Sequence, residues 1–239
     1  MGAELSQHSI HIDLQQWTED QAEILQEGVD RIFQGSKGDL CHLEFSFTMS
    51  DPGIEDCPMI GCSSGFMKMT EYGIDEIVGR NCRFLVDPVP LELIDQNVRR
   101  IARDFCEASR VNQPYEVPDA LREPWMPHTH SDAGVFCLQT NARKSGKLFK
   151  NLFHLKKIEL NERPFLVGLQ TELPEDLWEE DVAEEVRVAA CREACLSICA
   201  NLVEAERVLA RTFWYTSPMS RQEFVCRNDE GWVQLKAEQ

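Results

Sequence analysis

A cysteine with polar neighbours is the first residue in the chain whose chemistry needs an explanation. Cys82 lies between Asn81 and Arg83 in the stretch Gly79–Val86, which reads GRNCRFLV. A structural cysteine usually has apolar neighbours, and a disulfide needs a second cysteine and an oxidising compartment. The residue types around Cys82 fit neither a core thiol nor a disulfide.

Two groups of residues have side chains of the kinds that bind metal ions. The first is His128, His130 and Asp132 in a proline-rich segment, and the second is Cys191, Cys195 and Cys199 in a predicted helix. Histidines in such a segment are more often ordinary loop residues. The three cysteines lack a fourth ligand and the close convergence that zinc requires. We therefore predict no metal site, and we assign the helical cysteines to packing.

The composition limits the class of protein. The 239 residues are 43% hydrophobic, which suits one globular domain with extensions or two small domains. There is no apolar run near 18 residues and no secretory signal, so we expect a cytoplasmic protein whose ten cysteines are free thiols. The net charge of −17 argues against binding to nucleic acid or to anionic membranes.

The first residues match a modification motif. Met1, Gly2 and Ser6 fit the N-myristoylation pattern M-G-x-x-x-[ST]. Glu4 and the lack of nearby basic residues disfavour the modification, and one acyl chain anchors a protein only weakly. Weak anchoring through Gly2 and an ordinary start followed by glycine are the two alternatives.

The periodicity of apolar residues predicts the elements that position Cys82. Residues 1–39 form an extension with an amphipathic helix behind a capping box at Thr18–Gln21. Residues 40–173 form the main domain. Its predicted elements are strands near 43–49 and 58–63, short helices at 64–70 and 74–78, a helix from about Leu91 to Glu107, and strands at Val135–Arg143, Leu148–Leu160 and Pro164–Leu173. This order predicts an α+β fold, a five-stranded antiparallel sheet with helices on one face, flanked by N- and C-terminal helices.

Two further segments complete the predicted organisation. Residues 111–134 carry four prolines and form an insert without regular structure. Residues 174–216 contain a helix from about Leu177 to Phe213, with apolar residues at heptad spacing that is typical of packing on another helix. The tail, 217–239, contains a short hairpin.

The stretch from Glu55 to Val86 strongly resembles the first half of a LOV domain, the flavin-binding PAS-fold photosensor of blue-light receptors. The family signature reads G-x-N-C-R-F-L-Q, and the chain matches it from Gly79 to Leu85. The sequences NARKSG, LFKNLFHL and VGLQTEL are similar to the last three strands of the family. The resemblance covers about Phe45 to Leu173.

The resemblance implies a photochemical role for Cys82. In the family, blue light excites the flavin, and this thiol adds reversibly to ring carbon C4a. Light supplies the activation, so the thiol needs no general base and no lowered pKa. Gln170 then relays the protonation of ring atom N5 to the rest of the domain.

The resemblance also implies the residues that bind the flavin, and these are Asn81, Arg83, Arg99, Asn141, Asn151, Phe153 and Gln170. The two arginines would pair with the phosphate, and the three strand amides would bind the polar edge of the ring. Nothing is inserted between Cys82 and Arg99, which favours FMN over FAD. Val86 replaces the glutamine of the signature, so one hydrogen bond to the cofactor is lost.

The function implied is that of a blue-light receptor that binds FMN noncovalently. The chain shows no motif of a catalytic effector, so we predict that it is not an enzyme and that it signals through its flanking helices. The 177–213 helix would mediate homodimerisation or bind a helical partner. The alternatives are a photochemically silent PAS adaptor and a flavin-based redox sensor.

Overall fold

The computed structural model describes residues 27–33, 40–127, 134–212, 224–228 and 231–235. The strands within these ranges are β1 (Ser46–Ser50), β2 (Met59–Cys62), β3 (Val135–Ala142), β4 (Leu148–Leu160), β5 (Arg163–Leu173), β6 (Phe224–Asn228) and β7 (Gly231–Leu235). The helices are α1 (27–33), α2 (Ser64–Thr70), α3 (Ile74–Ile77), α4 (Gln96–Arg110) and α5 (Glu184–Thr212). Single 3-10 turns lie at Leu40–His42, Cys82–Leu85, Leu91–Leu93, Asp119–Leu121 and Glu175–Trp178.

The first five strands form one antiparallel sheet in the order β2-β1-β5-β4-β3, which confirms the predicted architecture. Strands β4 and β5 are joined at Asn161 and Glu162, whose φ angles are 48° and 67°. Two successive left-handed residues match the right-handed twist of the strands that they join. The predicted turn at these two residues is therefore confirmed, although neither residue is glycine.

The two faces of the sheet carry different sets of helices. We call the face with Val135, Cys137 and Leu166 the inner face, because helix α4 packs on it through Ile101 and Phe105. Side chains alternate between faces along each strand, so the neighbouring strand residues point to the opposite, outer face. The inner face is the one on which helices were predicted.

Helices α1 and α5 cover the outer face. Ile32 of α1 and Leu202 of α5 belong to one apolar cluster with Phe136, Leu152 and Val167 of the sheet. The prediction of helices on one face was therefore incomplete, because the flanking helices form a second layer on the other face. A sheet that is apolar on both faces requires this cover.

The heptad positions of α5 contact the sheet. These positions are Val188, Cys191, Cys195, Ile198, Leu202, Ala205 and Leu209, and all seven belong to the outer-face cluster. The three cysteines are thus packing residues, as predicted. The prediction that this seam binds another helix would require α5 to leave the sheet. The predicted start at Leu177 was also wrong, because α5 begins at Glu184 after a 3-10 turn.

Helix α4 begins later than predicted because Asp95 caps it. The Asp95 carboxylate accepts hydrogen bonds from the N–H groups of Asn97 and Val98, at 2.8 and 3.2 Å. The Gln139 side chain of β3 bonds both the N–H and the C=O of Asp95, each at 3.0 Å. The segment Leu91–Leu93 is therefore a separate 3-10 turn, and the start of α4 is fixed to the sheet.

Two buried ion pairs tie distant parts of the chain together. Asp51 and Arg163 pair at 2.6 Å and join the end of β1 to the start of β5. Lys156 of β4 points to the outer face, where its ammonium group pairs with Glu206 of α5. The Lys156 side chain is 1% exposed, so its charge depends on this carboxylate.

The proline-rich insert contacts clusters on both faces of the sheet. Tyr115 packs against the inner-face cluster, and Trp125 is buried in the outer-face cluster. Arg192 of α5 donates a hydrogen bond to the C=O of Pro124 at 2.9 Å. Apart from the turn at Asp119–Leu121, the described part of the insert has no helix or strand, as predicted.

Some predictions concern the two ends of the chain. Strands β6 and β7 pair antiparallel, which confirms the hairpin expected in the tail. Gly2 and the capping box at Thr18–Gln21 lie outside the described residues. Within the described ranges, no helix combines the length and the apolarity that crossing a bilayer requires.

Candidate functional site

The 3-10 turn Cys82–Leu85 carries the Cys82 thiol. Hydrogen bonds made by the preceding residue, Asn81, hold this turn in place. The Asn81 carboxamide oxygen accepts from the N–H of Arg83 at 3.0 Å, and its NH₂ group donates to the C=O of Asp56 at 2.6 Å. The last two residues of the turn are buried in an apolar cluster. The turn that carries the thiol is therefore fixed by the hydrogen bonds of Asn81 on one side and by the buried side chains of Phe84 and Leu85 on the other.

The surroundings of Cys82 favour the protonated thiol. Burial raises its pKa to about 12, with a smaller contribution from Cys106. The side chain is nevertheless solvent-accessible. A raised pKa leaves little thiolate at neutral pH, which disfavours Cys82 as a ground-state nucleophile.

Four predicted site residues share the inner face of the sheet. Phe153 of β4 lies opposite Gln170 of β5, and Asn151 lies opposite Gln139 of β3. Asn141 is two residues beyond Gln139 and so points to the same face. Directly opposed side chains are roughly 5 Å apart between Cβ atoms. The structure thus brings these four residues into one patch, beside the cluster that packs on α4.

Two side chains in this patch have unmet hydrogen-bonding capacity. Asn141 and Asn151 are 4% and 3% exposed, and their carboxamide oxygens are buried without a partner in the described protein. Leaving a buried acceptor unsatisfied costs about 1–3 kcal/mol. A planar ligand whose edge presents N–H donors and carbonyl acceptors would satisfy such amides. The polar edge of a flavin ring has this pattern, so the residues fit the predicted cofactor.

Gln170 is held by two hydroxyl groups of β1. The hydroxyl of Ser46 donates to the Gln170 carboxamide oxygen at 2.6 Å, and the Gln170 NH₂ group donates to the Thr48 oxygen at 3.1 Å. A Cβ atom at Gly168 would lie 2.6 Å from the Thr48 hydroxyl, so this glycine makes room for the pair. The sequence analysis missed both hydroxyls, although their alternate spacing in β1 places them on the inner face.

The two arginines that were predicted to bind phosphate differ in their surroundings. Arg83 forms an ion pair with Asp56, and both side chains are about half exposed. Arg99 is exposed near the start of α4, and among the described residues it forms no ion pair. Asp56, like Ser46 and Thr48, is a residue that the sequence analysis missed.

Val86, the departure from the family signature, has an apolar environment. It packs against a cluster of Val89, Ile94 and Ala142, with Leu148 beside it. Since Ala142 follows Asn141 directly, this cluster borders the amide patch. The valine therefore gains apolar contacts where the signature glutamine would offer a polar group.

Among the described residues, no three His, Cys, Asp or Glu side chains are grouped so that they could hold a metal ion. His128, His130 and Asp132 lie outside these residues.

Several known proteins are similar in sequence to more than half of the chain. The chain is 32% identical to phototropin-1A of Oryza sativa subsp. japonica over 145 residues, which are 60% of this chain and 13% of the phototropin. It is 34% identical to the white collar 1 protein of Neurospora crassa over 135 residues, which are 54% of this chain and 10% of that protein. The chain thus spans a small part of the length of these relatives. No protein-family model matches the chain.

Solved structures with similarity to the chain include two LOV domains. The light-state aureochrome1 LOV structure is 26% identical, with 55% of this chain and 83% of that chain covered and a TM-score of 0.40. The LOV domain of a blue-light-activated histidine kinase from Erythrobacter litoralis is also 26% identical, with coverage of 56% and 100% and a TM-score of 0.40. In its sequence relatives among phototropins and white collar 1, its Cys82 motif and its five-stranded sheet, the chain is similar to the LOV domains of blue-light receptors.

Proposed function

We propose that the chain is a blue-light sensor that binds FMN between the Cys82 turn, α4 and the inner face of the sheet. The observation that carries the proposal is the pair of buried, unpartnered amide oxygens of Asn141 and Asn151. They share the inner face with Phe153 and Gln170.

The proposed contacts assign to each residue the role that the family resemblance implies for it. Asn141 and Asn151 bind the polar edge of the ring, and Phe153 forms a wall beside it. Arg83 and Arg99 neutralise the phosphate, and Asn81 reaches the ribityl chain. A bound flavin would supply an electrophilic ring under blue light. Cys82 would be the residue that holds a protonated thiol, with its sulfur and its proton, ready for that ring.

An absorption spectrum of the purified protein tests the proposal. We expect structured flavin absorption in the dark, loss of that absorption after a blue pulse, and thermal recovery. Bound flavin that never bleaches would support a flavin-based redox sensor. A chain that binds no flavin even after FMN is added back would support a silent adaptor. Mass analysis of the released cofactor distinguishes FMN from FAD.

The raised pKa of Cys82 predicts that adduct formation hardly depends on pH. With a pKa of about 12, the thiol stays protonated at every pH well below that value. We expect the amplitude of the light-induced bleach to be constant between about pH 6 and pH 9. A reactive thiolate would instead give a yield that rises about tenfold per pH unit. Flash photolysis across this range decides between the two.

Replacement of Val86 by glutamine is expected to strengthen FMN retention. One added hydrogen bond contributes about 1 kcal/mol, which would slow the release of FMN up to about fivefold. The measurement is the recovery of free-flavin fluorescence after dilution. Val86→Leu is the matched control, since it keeps the apolar contacts and adds no polar group. Equal release rates for the glutamine variant and the wild type would contradict the prediction.

The signal is proposed to reach α5 through β5. Gln170 belongs to the inner face, and the adjacent residue Leu169 is buried in the outer-face cluster that contains α5. Reorientation of the Gln170 amide would exchange its partners on Ser46 and Thr48 and shift β5 against β1. A released α5 would expose its apolar seam for homodimerisation or a helical partner.

Light-dependent hydrogen exchange tests this route. We expect faster exchange in α5 after illumination of the wild type and no such change in Gln170→Leu, even though the adduct forms in both. Elution volumes measured in light and dark report on association. Identical exchange and identical elution in light and dark would contradict the proposed output.

A further inference from the structure

Asp56 holds two of the residues that the proposed function assigns to the cofactor. Its backbone C=O accepts a hydrogen bond from the Asn81 NH₂ group at 2.6 Å, and its carboxylate pairs with the Arg83 guanidinium group. The φ angles of Asp56 and Cys57 are 70° and 48°, in the left-handed region that Asp and Asn tolerate better than most residues. Asp56 therefore lies beside the Cys82 turn in a conformation that suits its residue type.

The loop that carries Asp56 is fixed at its start. The loop joins β1 to β2, and the Asp51 carboxylate accepts a hydrogen bond from the Gly53 N–H at 2.8 Å. The same carboxylate forms the buried ion pair with Arg163 at 2.6 Å. These contacts help to keep the Asp56 carboxylate next to Arg83, so the pairing of the two side chains follows from the fold.

We propose that Asp56 is a counter-charge to Arg83 and that it sets how strongly the site prefers FMN over a flavin without a phosphate group. This inference rests on the proposed function, in which Arg83 pairs with the phosphate. A guanidinium group beside a carboxylate offers less net positive charge to an incoming anion than an unpaired one does. Asp56 therefore weakens the attraction for the phosphate, and it has no such effect on riboflavin, which carries no phosphate.

The two arginines then contribute unequally to phosphate binding. The side chains of Arg83 and Asp56 are 53% and 50% exposed, so the carboxylate opposes the phosphate in contact with water. Arg99, in contrast, forms no ion pair among the described residues. Two unit charges at contact distance in water interact by an energy that corresponds to about a fivefold change in affinity. The Asp56 carboxylate is expected to lower the affinity for FMN by a factor of this size.

The test compares the affinities of the flavin-free protein for FMN and for riboflavin, measured by the quenching of flavin fluorescence in the dark. We expect Asp56→Asn to bind FMN about fivefold more tightly than the wild type and to bind riboflavin equally well. Asparagine has the size of aspartate and also tolerates the left-handed conformation, so the loop is retained. The gain should largely disappear in about 1 M salt, where the Debye length falls to about 3 Å.

Glu55→Gln is the matched control for this substitution. Glu55 precedes Asp56 in the same loop and is exposed. Both substitutions change the net charge of the chain by one unit, but of the two carboxylates the structure pairs only that of Asp56 with Arg83. The ratio of FMN affinity to riboflavin affinity should therefore stay at the wild-type value in Glu55→Gln and rise about fivefold in Asp56→Asn.

Several results would overturn the inference and leave the proposed function intact. Weaker FMN binding by Asp56→Asn would show that the carboxylate positions Arg83 for the phosphate instead of opposing it. An equal gain for riboflavin, or an equal gain in FMN binding by Glu55→Gln, would show an effect unrelated to the pairing of Asp56 with Arg83. An unchanged affinity ratio in Asp56→Asn would show that the carboxylate has no effect on phosphate binding. A wild type that binds neither flavin would contradict the proposed function and the inference together.

Discussion

The Cys82→Ala variant is expected to bind FMN and to show no light-induced bleach at all. The sulfur is the only atom at position 82 that can bond to the ring, so its removal abolishes the adduct and leaves the other contacts in place. The side chain is solvent-accessible, so folding stability should change by less than about 1 kcal/mol. The measurements are the flavin spectrum before and after a blue pulse and a urea unfolding curve.

Cys137→Ser is the control for this experiment. Cys137 lies on the inner face opposite Phe153, and it is buried. If Cys82 alone forms the adduct, the serine variant bleaches and recovers as the wild type does. A reversible bleach in Cys82→Ala would show that another thiol near the flavin can react, and it would contradict the assignment of Cys82.

Replacement of Glu206 by alanine is expected to destabilise the packing of α5 strongly. The Lys156 side chain is 1% exposed, and its partner Glu206 is 19% exposed. Loss of the carboxylate leaves a buried charge without compensation, which costs about 3 kcal/mol or more when both partners are deeply buried. Because Glu206 keeps some contact with water, we expect about 2–3 kcal/mol. Urea unfolding and hydrogen exchange in α5 measure the loss.

A neighbouring ion pair on the same helix provides the control. Glu204 and Arg207 pair at 3.3 Å, with side chains 47% and 57% exposed. Exposed pairs of this kind contribute at most about 0.5 kcal/mol, so Glu204→Ala should have little effect. Lys156→Met combined with Glu206→Leu should recover most of the stability, since it removes both charges. Equal losses for Glu204→Ala and Glu206→Ala would show that the buried pair does not hold α5.

Helices and strands could be predicted from the sequence where clear turn residues mark both of their ends. Strand β4 is observed at Leu148–Leu160, as predicted, because a glycine turn precedes it and the Asn161–Glu162 turn follows. The role of the α5 seam could not be predicted in the same way. A heptad repeat indicates an apolar stripe on a helix, and such a stripe packs equally well on a helix or on a sheet. Only the tertiary structure shows that it covers the outer face.

The sequence motifs indicate the principal residues of the candidate site but not the residues that support them. Cys82 and the strand amides stand in sequence motifs that can be recognised one at a time. Ser46 contacts Gln170 across 124 residues of sequence, and Asp56 contacts Asn81 across 25. Such hydrogen bonds depend on strand register and loop conformation, which no local pattern specifies. Supporting residues of this kind require the three-dimensional structure.

The alternation of side chains in β5 restricts the size of the movement that can carry a signal. Gln170 faces the amide patch, and Leu169 faces α5. If β5 slid by one residue against its neighbours, every side chain on it would exchange faces, and the apolar row would enter the polar patch. Such a slip would unfold the sheet rather than switch it. If β5 carries the signal as proposed, the motion would be a tilt or a displacement smaller than one residue, about 3.3 Å along the strand.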